Sequence, residues 1–253
     1  MEYLILFLPL LGAIISGFFG NKIGEKSSEI LTSLFTSISA ILSIIIFIDV
    51  VSQDYENNLI IFKWINSGSL DVNWSIKIDA LSAVMLVVVT LISSLVHIYS
   101  IGYMSHDPHK PRFMAYLSLF TFAMLTLVTS DNFLQLFFGW EGVGLCSYLL
   151  IGFWFKKQSA NAAAIKAFLV NRVGDFGFAL GIFLIFYFFG TLNYSEVFEQ
   201  IPQIIDKDIV FIGINIKSID LICLLLFIGA MGKSAQIFLH TWLPDAMEGP
   251  TPV

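Results

Sequence analysis

Apolar residues run almost unbroken for about 20 positions at a time, the length that crosses a ~30 Å hydrocarbon core as a helix, and short polar stretches separate the runs. The pattern predicts seven spans, near residues 3–19, 29–51, 80–103, 113–130, 132–153, 161–189 and 218–243. The expected fold class is therefore all-α, a polytopic membrane protein. One stretch breaks the pattern: IIFKWINSGSLDVNWSIKID, residues 60–79, alternates apolar and polar positions around a Ser-Gly turn. It reads as a small β-hairpin at the membrane surface or as an irregular loop.

Composition agrees with the pattern. Of 253 residues, 57% are hydrophobic, 25 are phenylalanine and only 13% are charged, where a soluble domain carries about a quarter charged residues. Mean hydropathy is +0.84. The N-terminus, MEYLILFLPLLGAIISGFFG, turns apolar at once and carries Glu2 where a leader would be basic, so it is expected to be a retained first span. The short loops hold Lys22, Lys26, Lys110, Arg112, Lys156 and Lys157, whereas Lys63, Lys77, Lys207 and Lys217 are diluted in two longer, acidic ones. The positive-inside rule then puts the N-terminus outside and the short basic loops inside.

A net charge of −6 without a clustered basic face argues against nucleic-acid binding. Cys146 and Cys223 stand alone in apolar segments, so no disulfide framework, zinc site or iron–sulfur site is expected. His106, Asp107 and His109 in HDPHKPR could each ligate a metal, but two prolines and a basic pair suit a solvated inner turn.

The informative residues are charges that the bilayer should reject, since one at the centre of a span costs about 2.5–3.5 kcal/mol even on the lenient insertion scale. The fifth span carries Glu141 close to its midpoint, with Gly144 and Tyr148 further along the same face. The sixth carries Lys166, Arg172 and Asp175; Arg172 and Asp175 are spaced to pair on one helix, and Lys166 lies near enough to the inner end to snorkel. The seventh carries Lys233 well inside its apolar zone, with His240 and then Pro244 beyond. The Gly-Lys-Ser at 232–234 is not a phosphate loop, because Phe227 stands where that motif needs glycine.

Static ion pairs locking the helices together are one reading of this set, although buried pairs are poor stabilisers once desolvation is counted. The other reading is functional. Burial lowers the proton affinity of a lysine and raises that of a carboxylate, and an ion pair holds both charged. A midplane Glu and a midplane Lys on facing helices can thus act as a proton relay. Gly229, Gly232 and the Pro244 break are expected to make the seventh helix discontinuous.

Three segments, GWEGVGLCSYLLIGFW (139–154), AAAIKAFLVNRVGDFGFALG (162–181) and GAMGKSAQIFLHTWLPDAMEGPTPV (229–253), resemble the signature segments of a known family. It is the antiporter-like membrane subunits of proton-translocating NADH-quinone oxidoreductase, of the subunit L (mitochondrial subunit 5) kind. The resemblance implies that Glu141 and Lys233 form the essential charged pair of a proton half-channel. It makes Arg172 and Asp175 a gating pair, Lys166 a neighbouring basic residue, and places His240 on the polar path by the helix break. It divides the chain into N-terminal helices with an outer-loop hairpin, 1–112, and a first antiporter-like helix repeat, 113–253, that lacks its final helix.

The resemblance further implies a bacterial plasma membrane or mitochondrial inner membrane, and other membrane-arm subunits and the lipid bilayer as partners. NADH, flavin, iron–sulfur clusters and quinone would belong to partner subunits, with no cofactor on this chain. The family's subunit is far longer, so the chain is expected to be a fragment or split product. Multisubunit Na⁺/H⁺ antiporters share the GWE and KSAQ cores, which leaves a large antiporter subunit as the alternative.

Overall fold

The computed structural model describes residues 1–53 and 55–252; Asp54 and Val253 lie outside it. Among the described residues six helices are long and apolar enough to cross a membrane. They are α1 (Glu2–Ile23), α2 (Glu25–Gln53), α3 (Ala80–Tyr103), α4 (Lys110–Val128), α5 (Phe133–Ile151) and α6 (Gln158–Phe189). The chain is a multi-pass membrane protein. Its apolar outer surface is built from residues such as Phe18, Leu81, Phe176 and Phe183, each about two-thirds exposed or more in the isolated chain.

The interior of the α1–α4 bundle combines an apolar cluster around Ile5, Leu6, Ile46, Leu86 and Leu125 with a polar stripe. Ser28, Thr32, Thr36, Ser39 and Ser43 form a buried stripe on α2, each hydroxyl donating to the carbonyl four residues back. With their donors satisfied internally, these small side chains let neighbouring helices pack closely, the device that replaces hydrophobic driving force in lipid. His97 is wholly buried between α3 and α4. Its Nδ1 lies 2.7 Å from the Ser93 carbonyl and its Nε2 3.0 Å from Ser118 Oγ; a carbonyl only accepts, so Nδ1 carries a proton.

Residues 57–78 form a hairpin, β1 (Asn57–Ser67) against β2 (Leu70–Ile78), turning at Gly68 with φ 61°. It is pinned over the N-terminal end of α5. The Gln135 amide bonds both the N–H and the C=O of Ser75, at 2.9 and 2.7 Å, and Asn132 Nδ2 donates to the Asn73 carbonyl at 2.9 Å. Asn132 also caps α5 by accepting from Gln135 N at 2.8 Å. Trp74 packs edge-on against Trp64 and Phe138, with ring centroids 5.1 and 4.8 Å apart.

The second long loop contains two elements that the hydropathy pattern does not reveal. An amphipathic helix, α7 (Tyr194–Ile204), buries Val197 and Ile204. A four-residue hairpin follows, β3 (Asp208–Phe211) with β4 (Ile214–Lys217). Its two turn residues, Ile212 and Gly213, both have positive φ, the geometry that a two-residue hairpin demands.

The seventh span is shorter than expected. Its helix, α8 (Ser218–Lys233), has 16 residues, about 24 Å at 1.5 Å per residue. The expected helix to 243 does not form, and the break lies at Lys233 rather than at Pro244. Ala235 and Phe238 adopt positive φ, which a helix cannot continue through. Trp242 folds back to donate its indole N–H to the Gly232 carbonyl at 3.1 Å, taking up one of the helix's open acceptors. Apolar residues at 237–239 disguise this break in the sequence.

Candidate functional site

α6 and α8 pack at glycine contacts. A Cβ on Gly229 would meet Phe178 at 2.6 Å, and one on Gly174 would meet the Ile228 carbonyl at 3.1 Å. This close approach sets Lys233, the last residue of α8, beside Asp175 of α6. The helix ends there, and a cation is favoured at that negative end of the dipole.

Lys233 Nζ lies 4.0 Å from Asp175 Oδ2, with Asp175 only 4% exposed. The other carboxylate oxygen, Oδ1, accepts from Trp140 Nε1 at 2.6 Å. The Trp140 ring stacks on Phe178 at 4.8 Å and lies 5.8 Å from the Lys233 ammonium. Across the cavity, Arg172 donates to Glu141 Oε2 and lies over the Phe168 ring at 4.7 Å. Glu141 Oε1 is buried with no partner among the described residues, as is Asn171 Oδ1.

Gly144 makes the room for the lysine. A Cβ there would sit 2.6 Å from Lys233 Nζ, so a helix of ordinary residues could not admit the ammonium at this place. Arg172, Asp175 and Lys233 border a cavity of about 320 Å³, lined also by Gly144, Ser147 and Asn171 among others. Orphaned polar atoms and this volume suit several water molecules, each occupying about 30 Å³ in the liquid.

The pairing differs from the sequence expectation. Glu141 and Lys233 share the cluster but do not pair, and the expected Arg172–Asp175 pair along α6 is absent from the ion pairs among the described residues. Arg172 reaches across to α5 and Asp175 faces α8. The observed interhelical arrangement gives all four a counter-charge, Arg172 with Glu141 and Lys233 with Asp175. Two acids and two bases make the quartet formally neutral.

Lys166 stands apart from the quartet. Its ammonium pairs with Asp245 at 2.7 Å, with both side chains nearly half exposed. His240 is exposed in the irregular segment after α8. In the turn before α4, Asp107 accepts from His109 N at 2.7 Å and from Trp154 Nε1 at 2.9 Å. Trp140, Gly144 and Asn171 are the site residues that sequence reasoning did not assign. A tryptophan beside a buried acid was a usable signal, because a buried indole N–H needs an acceptor.

Residues 130–253 match the family model described as NADH:quinone oxidoreductase/Mrp antiporter, transmembrane region. Residues 64–114 match that of the N-terminus of NADH-ubiquinone oxidoreductase (complex I) chain 5. The whole chain is 58% identical, over 255 residues, to NADH-ubiquinone oxidoreductase chain 5 of Arabidopsis thaliana, of which it covers 38%. It is 54% identical, over 260 residues, to NADH-quinone oxidoreductase subunit L of Rhodobacter capsulatus, covering 36%. The chain thus spans little more than a third of the length of these curated relatives. Its fold matches a chain in the structure of the Mrp complex from a Dietzia species, with a TM-score of 0.82, 24% identity, and coverage of 99% of this chain and 25% of that one. At that identity the likeness concerns fold alone.

Proposed function

This chain belongs to the NADH:quinone oxidoreductase/Mrp antiporter transmembrane family, and on that premise we propose that it supplies a proton half-channel to a redox-driven pump. The observation that carries the reading is the neutral quartet Glu141, Arg172, Asp175 and Lys233, three of whose members line one cavity while Glu141 is held by Arg172. In a neutral set, any proton gained or lost leaves one charge uncompensated in a low-dielectric place, so the protonation state is coupled strongly to geometry. Moving the Asp175 carboxylate or the Arg172–Glu141 pair away from Lys233 releases a proton from its ammonium to water in the cavity. Restoring the counter-charge draws a proton back.

In this reading residues 113–253 carry the proton-handling groups and residues 1–112 flank them. Lys166 and His240 are accessory groups in this reading. The chain works in a bacterial plasma membrane or mitochondrial inner membrane beside other membrane-arm subunits. NADH oxidation, flavin, iron–sulfur clusters and quinone reduction reside in partner subunits, coupled to this site by conformational or electrostatic change. The relatives at 58% and 54% identity favour the oxidoreductase over a Na⁺/H⁺ antiporter, with which the chain shares its fold.

The test is replacement of Lys233 by Met and of Glu141 by Gln in the assembled complex. Both are expected to abolish or strongly slow proton translocation while leaving assembly intact; undiminished pumping in both would leave the charges a merely structural role. Co-purification of a flavin- and iron–sulfur-containing NADH-oxidising assembly separates the oxidoreductase from the antiporter.

A further inference from the structure

A second cavity, of about 190 Å³, opens where the basic-loop ends of α4, α5 and α6 meet. It is lined by Arg112, Tyr116, Tyr148, Leu149, Phe155 and Asn161, among others, and Arg112 is the charged residue in that lining. The guanidinium is held rigidly. One NH₂ group donates to the Phe153 carbonyl at 3.0 Å, and the group lies over the rings of Phe153 and Phe155 at 4.5 and 5.1 Å. Its Nε–H is buried and has no acceptor among the described residues.

Arg112 differs here from other basic residues at this end of the bundle. Lys110 pairs with Glu25, Lys157 with Glu248 and Lys166 with Asp245, whereas no carboxylate among the described residues reaches Arg112. A half-buried guanidinium without a counter-charge is costly at the edge of a bilayer. An oxyanion seated in the cavity would remove that cost, accepting the orphaned Nε–H by a charge-assisted bond that Arg makes well to phosphate.

We propose that this cavity is a phosphate-binding site, its oxyanion carried by an anionic phospholipid headgroup or taken up free from solution. The lipid source suits the place. Tyr148 and Leu149 on α5 continue the cavity wall from the helix end into the apolar zone, where acyl chains would lie, and basic pockets on this face of a membrane attract anionic headgroups. The volume is several times the ~30 Å³ of a water molecule.

The test uses the full chain in nanodiscs of mixed phosphatidylcholine and phosphatidylglycerol, released into detergent and weighed by native mass spectrometry. Phosphatidylglycerol should be retained about fivefold above its bulk proportion, the factor expected of one basic side chain near an anionic surface. Arg112→Gln should bring retention to the bulk proportion, Arg112→Lys should keep most of it, and Lys22→Gln, an exposed basic residue at the same end, should change nothing. Asn161→Asp places a carboxylate in the lining, giving up the bond from Asn161 Nδ2 to the Phe155 carbonyl but keeping the Arg112 side chain, and should also abolish retention, so the test survives if Arg112→Gln does not fold.

Excess inorganic phosphate separates the sources. Lipid retained against it identifies the headgroup as the source, whereas displacement by phosphate, with a phosphate adduct in phosphatidylcholine discs, identifies the free anion. Retention by Arg112→Gln and Asn161→Asp equal to the parent chain, or binding of neither lipid nor phosphate by the parent, overturns the site.

Discussion

Gly144→Ala separates where the Lys233 ammonium sits from what it is. The added methyl would lie 2.6 Å from Nζ, whereas such contacts settle near 3.5–4.0 Å, so the ammonium has to retreat by about 1 Å. A retreat of that size directed away from Asp175 would open the 4.0 Å separation to about 5 Å. At an effective dielectric of ~20 the attraction then falls from about 4 to about 3.3 kcal/mol. That difference of roughly 0.8 kcal/mol is about fourfold in the strength of the pair.

The same substitution helps the helix, because alanine is the better helix former by about 1 kcal/mol. The expected outcome is therefore opposite in sign for two measurements. Thermal stability of the assembled complex holds or rises, and NADH-driven proton uptake into vesicles, followed with a pH-sensitive dye, slows about fourfold. Gly144→Val should slow it further. A Gly144→Ala complex that assembles fully and pumps at the parent rate would refute the idea that this glycine sets the lysine's position.

Three further outcomes follow from the same geometry. Asp175→Asn keeps an acceptor for the Trp140 indole but removes the charge facing Lys233, while Trp140→Phe does the reverse; proton translocation should fall more in the first, and equal losses would mean that the indole bond matters as much as the charge. His97→Leu leaves the Ser118 hydroxyl without its partner and should lower the unfolding temperature of the complex by an amount equivalent to about 1–3 kcal/mol, with pumping per folded complex unchanged. Glu248 is held below its ordinary 4.5 by the hydrogen bond from Lys157. A depressed carboxylate contributes its stability above its unfolded value and loses it as pH falls through the folded one. Hydrogen exchange of residues 245–252 should therefore quicken on acidification below about 4.5, and Lys157→Gln should remove that dependence.

Much of the architecture is legible in one dimension because the membrane makes it so. A span is recognised by the length of an apolar run, and six of the seven runs became spanning helices with ends close to the expected ones. The buried charges are equally legible, since a lysine or glutamate inside such a run stands out wherever it later points. The elements that escaped are those without a run. α7 and the four-residue strands β3 and β4 draw their order from packing on neighbouring elements and on each other, and each is too short and too interrupted by polar residues to make a long apolar run.

Hydropathy and charge belong to each residue and its near neighbours, and the chain carries them before it folds. Which acid meets which base belongs to helices brought together from distant positions, at rotations set by where glycine lets them touch. Gly174 and Gly229 draw α8 against α6, Gly144 opens α5 to the ammonium, and Lys233 therefore finds Asp175 while Arg172 takes Glu141. The end of α8 at Lys233 is sealed in the same way: the Gly232 carbonyl is met by Trp242, ten residues on, a contact made only once the chain has turned back on itself.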